Sequence, residues 1–302
     1  MLTQTMFINK ETIMTEILYL NGKYISPARA KISVFDRGFM FGDGVYEVIP
    51  VYSGMLLRGR AHLARLQASL DELGITNPLN LAQWMEIFTT LIAQYDALSD
   101  NVIYVQVTRG TMAKRDHGWS DELVPNVLVT CRSQTYAPQD VQTLGERAVT
   151  LADTRWSNAH IKTTNLLPNT LLLQKARSMG ANEAILIRNN YAIEGTQSNL
   201  FIVNGDIIVT PPKSDHMLGG ITREIVLDIC QQNKIICREK DITEDELHEA
   251  DEIWLSSSSR EIVPISTLNQ HGVGKGKPGP VWMQMIQLYQ EHKVKVMRAP
   301  AV

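Results

Sequence analysis

The sequence predicts an α+β protein of two domains, and three observations predict it. The chain has 302 residues, about two domains at roughly 150 residues each, which is enough to bury a sizeable core. Hydrophobic residues make up 44% and charged residues 20%, the balance of a globular chain and not of a disordered or fibrous one. Strand-like and helix-like runs also follow one another without the strict β-α alternation of a doubly wound sheet.

In chain order, the first signal is a hairpin. ILYL, Asn21-Gly22 and KYI place a primed-turn dipeptide between two short strand-like runs. VYEVIPVY (45–52) is rich in β-branched and aromatic residues and reads as a strand; Ser53-Gly54 then turns the chain into a third strand, MLLR. Leu63, Leu66, Leu70 and Leu73 recur at helical spacing until Gly74 stops them. Trp84, Phe88, Leu91 and Tyr95 mark a second helix. VIYVQVT (102–108) and NVLVTC (126–131) are strands, joined by the polar loop RGTMAKRDHGWSDE. The polar, proline-containing stretch Arg132–Gln139 is the expected linker, so the domains are expected at 1–134 and 135–302. A helix near 168–179 follows, then the strand EAILI, an Asn189-Asn190 turn and strands near 199–209. A helix at 222–233, strands EIWLS (252–256) and EIVPI (261–265), and a helix near 282–294 complete the chain.

Charge and composition exclude several classes. Lys plus Arg number 29 and Asp plus Glu 32, for a net charge of -3. Without a basic surplus to neutralise a phosphate backbone, no nucleic-acid partner is expected. No apolar stretch approaches the roughly 20 residues of a membrane helix, so no membrane partner is expected either. The start of the chain lacks a charged segment followed by an apolar one, so no secretory signal is expected, and residues 1–14 read as a loose extension. Cys131, Cys230 and Cys237 are odd in number and lack metal-ligand spacing. They fit free thiols in the cytoplasm, with no metal bound.

Several motifs carry chemistry, and each has a plainer reading. In LGGITREIVLDI, Gly219-Gly220 precede Thr222 and an apolar-periodic helix, so backbone N–H groups can meet an anion there. Taken alone, the motif reads more simply as an ordinary N-cap by Thr222. Ser256–Ser259 offer hydroxyls at a strand end, suited to phosphate oxygens or to a polar turn. Lys162 stands among apolar neighbours Ile161, Leu166 and Leu167; it is an amine nucleophile if pocketed, a surface lysine if not. Glu194 precedes a glycine and a strand, where it either pairs with a protonated ring nitrogen or sits in a solvated turn. Alternation places Tyr46, Val48 and Pro50 on one strand face. Arg115 and His117 share a loop and either clamp a carboxylate or are simply solvated. His62 and Arg65 sit three apart on one helix face.

In order, FDRGFMFGDGVYEV, HLARL, VTRGT, RDH, IKTTNLL, EGTQSNLF, GGITRE and SSSSREIVP resemble the class IV pyridoxal-phosphate aminotransferases, from about residue 17 to 268. Among them the D-amino-acid transaminases are most similar. The resemblance implies the two-domain fold type IV and pyridoxal 5'-phosphate as cofactor. It implies that Lys162 holds the cofactor covalently and shuttles the proton at the substrate Cα, and that Glu194 pairs with the ring nitrogen. Arg65, Ile221, Thr222 and Ser258 match the phosphate-holding positions, and Ser198 and Asn199 stand beside the cofactor. Tyr46, its same-face neighbour Val48, Arg115 and His117 match the substrate-binding positions, the last two reaching in from the neighbour in a homodimer. The implied reaction moves the amino group of D-alanine or a similar D-amino acid to 2-oxoglutarate. An aminodeoxychorismate lyase, a branched-chain L-amino-acid transaminase and a non-catalytic cofactor-binding protein are the alternatives.

Overall fold

The structure, a computed structural model, describes residues 17–136 and 139–298. The extension expected at 1–14 lies outside the described residues.

β1 (Leu18–Leu20) and β2 (Lys23–Ile25) form the expected hairpin. Asn21 and Gly22 take φ of 47° and 83°, as a type I′ turn requires. α1 (Arg37–Phe41) was not expected from the sequence, because a little over one turn shows no periodicity. Asp36 caps it by accepting from the Phe39 N–H, and Gly42 ends it in the left-handed region. β3 (Gly44–Tyr52) and β4 (Met55–Leu56) follow; β4 is shorter than MLLR because Arg58 already turns into α2 (Gly59–Glu72). α3 (Leu81–Ile92) starts with a capping box between Asn80 and Gln83. β5 (Asn101–Thr108) and β6 (Asn126–Ser133) complete an antiparallel sheet ordered β2-β1-β6-β5-β3-β4. Ile49, Ile103 and Val105 of the sheet share a core with Leu66 and Leu70 of α2 and Trp84 and Phe88 of α3. Each such side chain contributes about 1.5–3 kcal/mol on burial.

The expected linker is too long. Arg132 and Ser133 still pair with Val102 and Asn101 inside β6. α4 (Gln139–Leu144) and β7 (Glu146–Ala152) then come before the first element expected in this half. After β7 come α5 (Leu167–Ser178), β8 (Glu183–Arg188), β9 (Tyr191–Gly195), β10 (Asn199–Asn204) and β11 (Ile207–Thr210). α6 (Ile221–Asn233), β12 (Cys237–Glu239), β13 (Ile242–Thr243) and α7 (Glu244–His248) follow. β14 (Glu252–Ser257), β15 (Glu261–Leu268), β16 (His271–Gly272) and α8 (Pro280–Arg298) end the described chain. The second sheet runs β12-β11-β10-β14-β15-β7-β8-β9-β13, with β16 beside β15. It is mixed: β7 runs parallel to both β15 and β8, while β14 is antiparallel to β10 and β15. An antiparallel sheet joined to a mixed one is the α+β class expected. α6 and α8 cover one face through Ile225, Trp282 and Tyr289, packed with Phe201 and Trp254. Among the described residues no helix is long and apolar enough to cross a membrane.

Candidate active site

The segment carrying Lys162 runs beside the start of β3. The Tyr46 N–H donates to the Lys162 carbonyl (3.0 Å), and the Thr164 N–H donates to the Gly44 carbonyl (2.9 Å). Gly44 must lack a side chain here, because a Cβ would sit 2.7 Å from the Val107 carbonyl of β5. The Lys162 N–H donates to the Ser69 hydroxyl of α2 at 3.2 Å. With its backbone fixed this way, Lys162 projects Nζ over the Tyr46 ring, 4.1 Å from the centroid. The side chain lines a cavity of about 240 Å³. Also lining it are Tyr46, Val48, Arg65, Glu194, Ser198, Asn199, Ile221, Thr222 and Ser258, drawn from segments far apart in sequence.

Glu194 is not a solvated turn residue. It lies in β9 and is buried. Its Oε1 accepts from Arg155 Nη1 (2.5 Å), and its Oε2 accepts from Asn199 Nδ2 (3.1 Å) and the Leu218 N–H (3.2 Å). Arg155 is in turn gripped by Asp153, Nε to Oδ1 at 2.9 Å and Nη2 to Oδ2 at 3.0 Å. Burial pushes the Glu194 carboxyl up to about 7, against the opposing pull of Arg155. A cationic ring nitrogen beside it favours the ionised form. Asn199 is itself held in place, since its Nδ2 also donates to the Leu218 carbonyl at 2.7 Å. Gly220 lets it approach, because a Cβ there would collide with Asn199 Oδ1. The Ser198 hydroxyl donates to buried Glu183 at 3.4 Å, and Glu183 also accepts from the Thr196 N–H and hydroxyl.

Another part of the cavity is built for an anion. α6 starts at Ile221 with Gly220 as N-cap and no side-chain cap. Thr222 therefore does not cap its own helix, and the first N–H groups stay open. Ser256 Oγ and Ser257 Oγ are buried without a partner and line the same cavity as Ser258. Orphan hydroxyls, a helix N-terminus and Arg65 are a donor set that fits a phosphate. With the Lys162 amine and the Glu194 carboxylate, they fit a phosphorylated pyridine aldehyde.

Arg65 is fixed by Glu47, which sequence reasoning did not single out. Glu47 is fully buried on β3 and accepts from Arg65 Nε (2.7 Å) and Nη2 (2.8 Å) and from His62 Nδ1 (2.7 Å). Arg65 Nη1 donates onward to the Gly219 carbonyl at 2.8 Å. Burial alone would raise the Glu47 pKa, but Arg65 and His62 hold it well below the usual carboxylate range. Glu47→Gln is expected to cost about 3 kcal/mol at pH 7, the scale for removing one partner of a buried ion pair. A depressed pKa gives stability that is complete above the ordinary value of 4.5 and is lost as the pH falls below it. Thermal melts from pH 7 to pH 3 should show the gap between wild type and variant closing on the acid side. A gap that does not depend on pH rejects the ion-pair reading.

The structure does not bring all the candidate residues together. Arg115 and His117 lie in the exposed loop between β5 and β6 and do not line the cavity of their own chain. Sequence reasoning also missed Arg155, Asp153 and Glu183. For Glu47 a signal exists, an acidic residue inside an otherwise apolar strand.

The family model for amino-transferase class IV matches residues 44–268. The chain is 38% identical to a D-alanine aminotransferase of Bacillus licheniformis, over 86% of this chain and 91% of that one. Its fold is similar to a crystal structure of the branched-chain amino acid aminotransferase of Escherichia coli, with TM-score 0.81, 25% identity, and coverage of 92% and 94% of the two chains. It is also similar to the branched-chain aminotransferase of the archaeon Thermoproteus uzoniensis with norvaline, with TM-score 0.82, 25% identity, and coverage of 91% and 94%. An amine, a buried carboxylate and an anion cup in one cavity thus coincide with a family match over most of the chain, and the chain belongs to the pyridoxal-phosphate-dependent class IV aminotransferases.

Proposed function

We propose that the protein transfers the amino group of D-alanine, or a similar D-amino acid, to 2-oxoglutarate, giving pyruvate and D-glutamate. The observation that carries the transfer chemistry is the Lys162 amine over Tyr46 in a cavity that also holds Glu194 and the anion cup. The preference for D-alanine draws support from the similarity to D-alanine aminotransferase. When bound, pyridoxal phosphate supplies a ring that accepts the electron pair left by the departing Cα proton. Lys162 would hold the cofactor covalently and, once the substrate amine takes its place there, would carry the proton from the substrate Cα to the cofactor's aldehyde carbon on the same face. Glu194 keeps negative charge at the ring nitrogen. Arg65, the N–H groups of Ile221 and Thr222, and the Ser258 hydroxyl hold the phosphate. Ser198 and Asn199 frame the ring. Tyr46 and Val48 wall the substrate, whose carboxylate meets the partner subunit's Arg115 and the partner subunit's His117.

A homodimer is part of this proposal. Exposed apolar side chains at Ile32, Val34, Phe35 and Phe39 support it, because monomers rarely leave such a cluster bare. Cys230 and Cys237 carry free thiols, in keeping with the cytoplasm.

D-alanine added to the holoenzyme without an acceptor is expected to change the cofactor's visible absorption, while L-alanine and L-leucine leave it unchanged. A response to L-leucine alone favours the branched-chain reading, which the structural likeness also supports. No response to any of the three rejects transamination of these substrates and favours the lyase. Arg115→Ala is expected to raise KM for D-alanine about 10-fold or more, with a smaller fall in kcat, as for a lost charge-assisted contact. An unchanged KM removes the clamp from the proposal.

A further inference from the structure

We propose that α1 positions the Arg115–His117 clamp, with Arg37 and Phe41 as the positioning residues. The inference rests on the proposed D-amino-acid reading, since it concerns how the clamp in that reading is held.

A buried guanidinium is costly unless its donors are satisfied. Arg37 is buried, and most of its partners are backbone atoms of the clamp loop. Its terminal nitrogens donate to three consecutive carbonyls, Asp116 (2.8 Å), His117 (3.0 Å) and Gly118 (3.1 Å). Its Nε donates to Asp43 at 2.7 Å. The same Asp43 oxygen accepts from Arg109 Nε at 2.8 Å, and Arg109 Nη2 donates to the Leu73 carbonyl at 2.8 Å. Trp119, next in the chain after these three residues, covers both guanidinium groups, 5.4 Å from Arg37 and 4.0 Å from Arg109. The loop is exposed, yet its backbone is tied to buried charge.

Phe41 does the same for the side chains. Its ring centroid lies 4.9 Å from the Arg37 guanidinium, 5.1 Å from that of Arg115, and 5.4 Å from the His117 ring. Residues i and i+4 of a helix share a face, so a helix of five residues places Arg37 and Phe41 together toward the loop. The Asp36 cap and the left-handed Gly42 set the bounds of that helix. A clamp held this way is ordered before substrate arrives. Ordering a free loop on binding would weaken affinity by the conformational entropy of its residues. The scaffold therefore acts on carboxylate binding and leaves the chemistry at Lys162 alone.

The test uses the holoenzyme. Arg37→Met and the milder Phe41→Leu are expected to raise KM for D-alanine about 10-fold and about 3-fold, with kcat within about twofold of wild type. The cofactor's absorption and affinity should match wild type. Trypsin cleavage after Lys114 and Arg115 is expected to speed up about 10-fold in Arg37→Met, as pinned backbone is released. Arg115→Ala separates the two claims. If it leaves KM unchanged, the clamp fails and the scaffold fails with it. If it raises KM while neither α1 variant does, the clamp stands and the scaffold is overturned. An equal fall in kcat, or loss of cofactor in Phe41→Leu, also overturns it, because α1 would then support the fold and not the clamp. Unchanged proteolysis of Arg37→Met rejects the pinned loop whatever the kinetics show.

Discussion

Lys162→Ala is expected to lower kcat by at least about 10⁴-fold, the upper range for removing a positioned general base, because the same side chain is also the covalent anchor. No other lysine is among the described residues lining the cavity, so no second amine stands ready to substitute. The fold should survive. The hydrogen bonds that hold this segment use the Lys162 carbonyl, the Lys162 N–H and the flanking Thr164 N–H, all of which an alanine keeps. Alanine removes the side-chain stem and the Nζ contact with the Tyr46 ring, an interaction worth about 0.5–2 kcal/mol. A melting temperature close to wild type with activity abolished is therefore the expected pair of results. A small primary amine added to the variant should restore part of the turnover, because the space left is the size of the missing stem. A purified variant that turns over like wild type places the chemistry elsewhere in the cavity.

What the sequence revealed and what it hid divide along a physical line. Lys162, Glu194, the GGIT turn and the serine run stand out locally, because glycines and hydroxyls beside strand and helix ends are visible in a short window. Their supports do not stand out. Arg155 lies 39 residues from Glu194, and Arg37 lies 79 to 81 residues from the loop carbonyls it holds. A charged residue in a sequence gives no sign of the distant partner that allows its burial. The elements follow the same rule. The leucine repeat of α2 and the alternation of β3 are long enough to read, whereas α1 is not. β7, ERAVTLA, carries a glutamate and two alanines that strands disfavour, and its position between two parallel neighbours is a property of the sheet, not of its own residues. The clamp is a third case. Arg115 and His117 are recognisable in sequence, but one chain alone does not bring them to Tyr46.

Glu194→Gln is expected to lower kcat about 100-fold, the scale for losing one preorganised electrostatic contact. The carboxylate is acceptor-only, and its hydrogen-bond partners in the protein are all donors: Arg155 on one oxygen, Asn199 and the Leu218 N–H on the other. An amide can face only one of these sides with its oxygen. Its NH₂ then meets a donor, either the Arg155 guanidinium or the Asn199 amide, and the negative charge is gone. Asp153 grips Arg155 at two points, so in wild type the Glu194 charge is not consumed by Arg155 alone. The pH dependence gives an independent check on the cofactor-free protein. Glu194 has a pKa raised from 4.5 to about 7 when folded. A raised pKa gives stability that is complete below the unfolded value and is lost as the pH rises through the folded one. Wild-type apoprotein should therefore lose melting temperature between about pH 4.5 and pH 7 and level off above. The variant should lack that part of the slope. Bound cofactor should flatten the wild-type slope too, since a cationic nitrogen compensates the buried carboxylate. Full activity in the variant would show that the Glu194 charge has no part in holding the ring, and identical slopes in the two apoproteins would show that burial does not raise its pKa.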